Sequence, residues 1–248
     1  MIFFSNKSRP YHFGPYPLER IARDPSIRDE ETGRPRASRP DANPAQDSEF
    51  AEAVEKYHQI FHSLRNEDVA PGKAPVPDDL VRRAVDVKGA AYFLNANMVG
   101  ITELTDTCWL DGSTSLGHSH AFVILIEHGR MPEEGSLAKR WVESSIETTA
   151  EFRAYEIAIS IASHIQKMGF SAIAHDVQNG DVDLDRLTVL TGLGVRLDDK
   201  LINPFVDERF TVCAVTTDYA LATDLSLIHI SEPTRRYAIS YAVVCLKK

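Results

Sequence analysis

Apolar and polar positions change their rhythm along this chain, and the changes divide it. From Met1 to Asp47 there is no rhythm, because prolines at 10, 15, 17, 25, 35, 40 and 44 interrupt every run. A ring that fixes φ and removes a backbone donor excludes a long helix or a central strand there. Residues 1–47 therefore read as an extended Pro- and Arg-rich arm whose aromatics (Phe3, Phe4, Tyr11, Phe13, Tyr16) pack onto a body built by later residues. Helical spacing begins in Glu49–Arg65, where Phe50, Val54, Tyr57 and Phe61 form an apolar stripe behind Asp47 or Ser48 as cap. Pro71–Pro77 is a linker, and Pro77–Val87 starts a second helix that can run on through Lys88–Asn95.

The rhythm then shortens. Met98–Leu104 (MVGITEL) and His120–Glu127 (HAFVILIE) are brief apolar runs rich in β-branched residues, as buried strands require. Glu134–Met168 returns to helical spacing, with Trp141, Ser145, Thr148, Phe152, Tyr155, Ile159 and Ala162 as one core-facing stripe, and Gly169 stops it. Ser171–Ala174 is a short strand, Asp183–Leu190 a helix ending near Gly192, and Phe210–Thr217 a further strand. Strands alternating with helices predict an α/β (α+β) body, a mixed sheet flanked by helices. No internal repeat is visible.

Composition narrows the class. The chain has 248 residues, 43% of them hydrophobic and 25% charged, enough for one domain or two small ones. No run approaches the ~20 apolar residues of a membrane span. Met1–Pro10 lacks the apolar core and cleavage site of an export signal, so a cytoplasmic location is expected. With 27 basic against 36 acidic side chains the net charge is -9, which disfavours nucleic acid as a partner. The one basic cluster, Arg28–Arg39, also holds Asp29, Glu30 and Glu31 and reads as a solvated arm. Cys108, Cys213 and Cys245 are too scattered for a disulfide framework or a metal-binding pair, and read as buried free thiols.

The tail Leu225–Lys248 (LSLIHISEPTRRYAISYAVVCLKK) resembles translated sequencing-adapter read-through, and is set apart from the fold as non-native. Otherwise Ile239–Leu246 would pass for a buried strand. The tail carries Arg235, Arg236, Lys247 and Lys248 against Glu232, so the rest of the chain is more acidic than the whole. The organisation expected is an arm over 1–47, an α/β domain over 48–224 and a foreign tail over 225–248, with a natural protein that continues past Asp224.

Candidate chemistry is sparse. His118 and His120, two apart on a strand, share a face, with His128 as a conceivable third metal ligand; the alternative is a pair of polar residues at a strand mouth. His58 and His62 stand at i,i+4 on a helix, also a ligand spacing, but without the HExxH glutamate. His175 and Asp176 follow a strand, at the kind of end where α/β folds place ligands. Asp181, Asp183 and Asp185 lack the spacing and glycine of a calcium loop, and Asp183 is more simply a helix start. Gly192 and Gly194 form a lone GxG that backbone amides could turn toward an anion, with no helix of further glycines behind it. Nucleophile elbows, Walker loops and complete dinucleotide fingerprints are absent.

Several segments, in order, resemble the cobalamin-dependent reductive dehalogenases and the related epoxyqueuosine reductases: GAAYFLNANMVGITEL (89–104), HSHAFVILIEHG (118–129), the helix 143–168 running into GFSAIAHD (169–176), and TGLGVRLDDKLINPFVDERFTVCAVTTDYAL (191–221). The resemblance covers roughly Lys88–Thr223, and SRPYHFGPYPLERI resembles the start of the non-respiratory dehalogenases. It implies a cobalamin-processing, flavin-reductase-like fold, and for the full-length parent a cobalamin and 4Fe-4S clusters. Cofactor contacts would fall on His175, Asp176, Gly192 and Gly194. The departures are specific. Corrinoid-binding members follow GLG with further glycines, whereas Val195–Lys200 here brings side chains and two carboxylates. The cysteine runs for iron–sulfur clusters and the catalytic Tyr and Lys/Arg are missing. The resemblance thus implies a vestigial N-terminal half with no catalytic residue and no cofactor of its own, partnered by the C-terminal catalytic half of the same parent acting on haloaromatics. Two alternatives stay open: a stand-alone corrinoid-binding or -processing protein, which needs a large cavity beside strand 171–174, and a non-enzymatic interaction domain.

Overall fold

The computed structural model describes residues 14, 20–22, 25–40, 48–65, 68–197, 200–224 and 226–228. The body is built on a four-stranded sheet of β2 (Met98–Glu103), β3 (His120–Glu127), β7 (Phe210–Thr217) and β4 (Ala172–His175), in the order β2-β3-β7-β4. Every pairing is antiparallel, which corrects the expected mixed sheet. The crossover from β3 to β4 does make those two strands parallel. But β7 inserts between them, so the parallel pair never shares hydrogen bonds.

Both faces of the sheet are covered, which is why its strands read as continuous apolar runs rather than alternating ones. Ile101, Phe122, Ile124, Ala174 and Val215 point to a layer formed by α3 (Leu80–Phe93) and α5 (Ile146–Lys167). Ala121, Val123, Leu125, Val212 and Ala214 point the other way, onto Trp109 and the Leu187 and Leu190 side chains of α6 (Leu184–Thr191). The 22-residue α5 is the spine of the first layer. It ends in a Schellman motif, with Gly169 at φ +85°, its N–H on the Gln166 carbonyl and the Phe170 N–H on that of Ile165. Asp79 and Asp183 cap α3 and α6 through their carboxylates, and Ser48 caps α2 (Glu49–His62).

Side chains close both edges of the sheet. On β2, the Ile101 N–H donates to Asp224 Oδ2 at 2.7 Å, the Asp224 N–H donates to the Ile101 carbonyl at 3.0 Å, and Lys88 pairs with Asp224. On β4, Gln166 Nε2 donates to the Ala172 carbonyl at 2.7 Å and Arg65 Nε to the Ala174 carbonyl at 2.8 Å.

Several expectations need correction. The long helical stretch is broken: α4 (Leu137–Val142) and a 3-10 turn (Glu143–Ser145) precede α5, and Trp141 is 59% exposed rather than part of the core stripe. The arm is not wholly extended, since α1 spans Pro25–Gly33, starting at a proline whose fixed φ suits a first helical turn. Nor is it simply solvated. Glu31 is buried and accepts from Arg196 at 2.9 Å, and Arg39 donates to the Gly180 carbonyl and to Asp181. Val195–Leu197 (β5) and Lys200–Ile202 (β6) form an antiparallel hairpin that the periodicity did not predict. The arm's aromatics Phe3 to Tyr16, and nearly all of the tail, lie outside the described residues. Of the tail, Ser226–Ile228 (β8) pairs its backbone antiparallel with Arg20–Ala22 (β1).

Candidate functional site

Helix α2 is amphipathic in the reverse of the usual sense. Half of its predicted apolar stripe faces outward, with Phe50 45% and Tyr57 60% exposed, whereas Ala51 and His58 are its buried residues. The inward-facing row Ala51, Glu55, His58, His62 runs on to Arg65 at i,i+3/i+4 spacing and lies against α5 and the turn after β4. Val54 and Phe61 remain half-buried, and Phe61 packs against Phe152 at 5.5 Å between ring centroids.

Under this row sits Asp176, whose side chain is fully buried. One of its oxygens, Oδ2, lies 2.6 Å from His62 Nε2 and 3.1 Å from His58 Nε2. The other, Oδ1, accepts the Asn179 N–H at 2.6 Å, which fixes the turn. Burial works to raise the Asp176 carboxyl, but the two imidazoles and the Asn179 amide outweigh it and hold it well below the usual carboxylate range. The effect on His58 is reciprocal: burial opposes its charge, Asp176 prevails, and its value is raised. Behind them Glu151 accepts the Val177 N–H at 3.2 Å and is pushed up to about 7, first by burial and then by the charge of Asp176.

His175 belongs to a second network on the opposite face of β4. Its Nδ1 accepts the Asp181 N–H at 3.2 Å and faces Arg65 at 3.2 Å, so the proton sits on Nε2, which donates to Thr216 Oγ1 at 2.8 Å. Thr216 then donates to His118 Nδ1 at 2.8 Å, leaving His118 Nε2 to donate to Ser171 Oγ at 2.8 Å. Burial, assisted by the Arg65 charge, lowers His175 to about 3, so it is neutral. His118, His120 and His128 do not gather into a metal site. His120 bonds to Ser119 and His128 to Thr211, and burial lowers all three. The acid run is also dispersed: Asp181 pairs with Arg65 and Arg39, Asp183 caps α6, and Asp185 faces Arg196.

Gly192 and Gly194 make a separate set of contacts from His175 and Asp176. Gly192 (φ +66°) is the left-handed cap of α6. A Cβ on Gly194 would lie 3.2 Å from Leu201 Cδ1 and Thr188 Cγ2 and 3.3 Å from the Ile202 carbonyl oxygen. The bare backbone of this turn is therefore used by the β5–β6 hairpin folding over it, pinned by the Asn203 amide on the Leu193 carbonyl at 2.6 Å. Arg196 is committed to Glu31 and Asp185, and Asp198 and Asp199 lie outside the described residues. These residues do not fit a corrin ring laid against the turn. Iron–sulfur ligation does not fit either: Cys108 and Cys213 are buried free thiols whose values burial raises, and Cys245 lies outside the described residues. Beside β4, Phe170, Ala172, Ala174 and His175 are all buried. Among the described side chains, the metal-ligating atoms that converge are those of His58, His62 and Asp176, all within 4.8 Å of one another.

The sequence offered both halves of this site, the i,i+4 histidines and the His175–Asp176 strand end, but nothing in it joined them. The joining depends on the inverted seating of α2.

No family model and no curated protein matches the chain. Solved structures do. The catabolic reductive dehalogenase NpRdhA is similar at 33% identity over 93% of this chain, with a TM-score of 0.78. The same enzyme in complex with 3-bromo-4-hydroxybenzoic acid gives 32% identity over 96% of this chain, again at 0.78. A reductive dehalogenase structure described as suggesting a mechanism for B12-dependent dehalogenation gives 34% over 94%, at 0.79. The chain has a reductive dehalogenase-like fold, and it spans about a third of the length of the solved proteins it matches: 32% in the first and third comparisons and 34% in the second. No helix among the described residues is long and apolar enough to cross a membrane.

Proposed function

We propose that this chain is the N-terminal, cofactor-free part of a cytoplasmic corrinoid- and iron–sulfur-dependent reductive dehalogenase. Its parent enzyme removes halide from a haloaromatic of the halogenated hydroxybenzoate class, the chemistry of the ligand bound to the similar NpRdhA. The observation that carries the reading is the closed turn at Gly192–Gly194. One similar solved structure is described as suggesting a mechanism for B12-dependent dehalogenation, and in this chain the glycine turn is packed by Leu201, Thr188 and its own hairpin, which supports the cofactor-free reading. The buried free thiols agree with a reducing compartment.

The role left to such a part is packing. Its partner is the C-terminal catalytic half of the same parent, and the surface offered is the outward stripe of α2 and α4, where Phe50, Tyr57, Ile60, Leu137 and Trp141 are exposed. On this reading the tail from Leu225 replaces natural sequence, and coding DNA beyond Asp224 encodes a second α/β half with two cysteine clusters.

The test is a cobalamin titration of the purified chain, followed by gel filtration. The expected result is corrinoid eluting apart from protein, with no dehalogenation of 3-bromo-4-hydroxybenzoate under reducing conditions. Stoichiometric retention of corrinoid would overturn the cofactor-free reading.

A further inference from the structure

We propose that His58, His62 and Asp176 bind a single divalent transition-metal ion of the zinc class, tying α2 to the turn after β4. The proposal is independent of the dehalogenase reading and uses none of the residues at the glycine turn.

The placement of donor atoms comes first. Two imidazole nitrogens one helical turn apart converge on one carboxylate oxygen, at 2.6 Å from His62 and 3.1 Å from His58. In a four-coordinate site with metal–ligand bonds of ~2.0–2.1 Å, neighbouring donors stand about 3.3 Å apart. The two nitrogen–oxygen distances need to open by less than an ångström to admit the ion, and all three donor atoms already lie within 4.8 Å of one another. Two nitrogens and one carboxylate oxygen are a ligand set that zinc-class ions favour over calcium or magnesium, which take oxygen.

The proton inventory points the same way. His62 Nε2 is 2.6 Å from Asp176 Oδ2 and also 2.6 Å from the Asn179 side-chain amide nitrogen. A ring nitrogen offers one direction of bonding. Protonated, it can donate to the carboxylate but then opposes the amide hydrogens; unprotonated, it accepts from the amide but sets its lone pair against an anion. His58 Nε2 is buried and lies 3.1 Å from the same oxygen, in an alignment that makes no hydrogen bond. A cation at the centre takes the lone pairs of both imidazoles and of Asp176, and the Asn179 amide, turned over, supplies its oxygen as a fourth donor.

The surroundings suit a resident ion. Asp176 is oriented through its second oxygen by the Asn179 N–H, and the far nitrogen of His58 faces Glu55 at 3.8 Å, the arrangement by which outer carboxylates steer ligating histidines. The Tyr155 ring stacks on His62 at 4.9 Å between centroids and forms a wall. Buried Glu151 stands behind Asp176 as a second acid. His62 is 22% exposed and Asn179 is exposed, which leaves a path for the ion from solvent.

The probe is Co²⁺, titrated into the untagged 248-residue chain after dialysis against a chelator. One equivalent is expected to bind with the strong visible absorption of a four-coordinate site, and Zn²⁺ is expected to displace it. His62→Ala, on the half-exposed side of the cluster, should lower Co²⁺ affinity by more than about 100-fold, beyond the ~10–100-fold loss typical of an outer partner. His128→Ala should bind as the parent does. Absence of saturable binding at one equivalent overturns the proposal, and so does unchanged affinity in a folded His62→Ala chain. Should that variant not fold, the hyperfine-shifted imidazole resonances of the Co²⁺-loaded parent chain decide: two ligating histidines support the site, one or none overturns it.

Discussion

Helices α2 and α5 lie against one another and solve opposite problems. In α5, Ala154, Ile157, Ile161 and Ile165 face the sheet, polar residues such as Arg153 and Ser160 face water, and stability comes from apolar burial. In α2 the apolar residues Phe50, Tyr57 and Ile60 face water and the polar row faces in, where it and the following Arg65 are held by Asp176, Asp181 and the Ala174 carbonyl. A hydrophobic stripe thus marks a face without saying which way it points. When the polar face is the inner one, a set of charges and lone pairs is drawn together that a conventional helix would leave in solvent.

The comparison breaks most sharply at Asp176. Removing it (Asp176→Ala) strands two imidazoles and should cost about 3–5 kcal/mol, as for one partner of a buried charged group, read as a lowered urea midpoint. An undiminished midpoint would mean that α2 is not held by its polar row. Next comes the apolar counterpart: Ile165→Ala, fully buried in α5, should cost roughly 2–5 kcal/mol through a cavity.

A smaller effect lies in the protons. Burial lowers His118, His120 and His128 from the ordinary value of 6.5, so the unfolded chain takes up protons first as pH falls. Their contribution is complete above that value and is lost below it. His58 is raised, so its contribution is present below 6.5 and is lost as pH climbs through its folded value. Urea midpoints should therefore fall from about pH 7.5 to about pH 5.5, and His118→Gln should flatten that fall. Equal slopes in both chains would remove His118 from the account. Least affected should be Tyr57→Ser on the outward stripe of α2, within about 0.5 kcal/mol of the parent. A loss as large as that of Ile165→Ala would show the stripe to be buried after all.

How much of this was legible follows from where the decisive contacts lie. Strands β3 and β7 were readable to the residue because both faces are covered and their apolar runs are unbroken. The end of α5 was readable because Gly169 is a local signal. Helix α1 was hidden, since its proline suits a first turn as well as a break. Hairpin β5–β6 was hidden because its partners are each other and the back of a glycine turn, with no alternating pattern to betray it. At the site, His58, His62 and Asp176 each stood in a suggestive local pattern. The chain between His62 and Asp176, which stand 114 positions apart, carries no mark of their meeting.

Capping of the outer strands has a bearing on self-association. A sheet rim with free amides and carbonyls is a template on which a further chain can grow, and here Asp224 and Lys88 on one rim, Gln166 and Arg65 on the other, occupy such positions. Arg65 thereby serves both the His175–Asp181 network and the guard against fibril-like accretion. Weakening the α2 terminus would then show itself as insoluble protein as well as a less stable one.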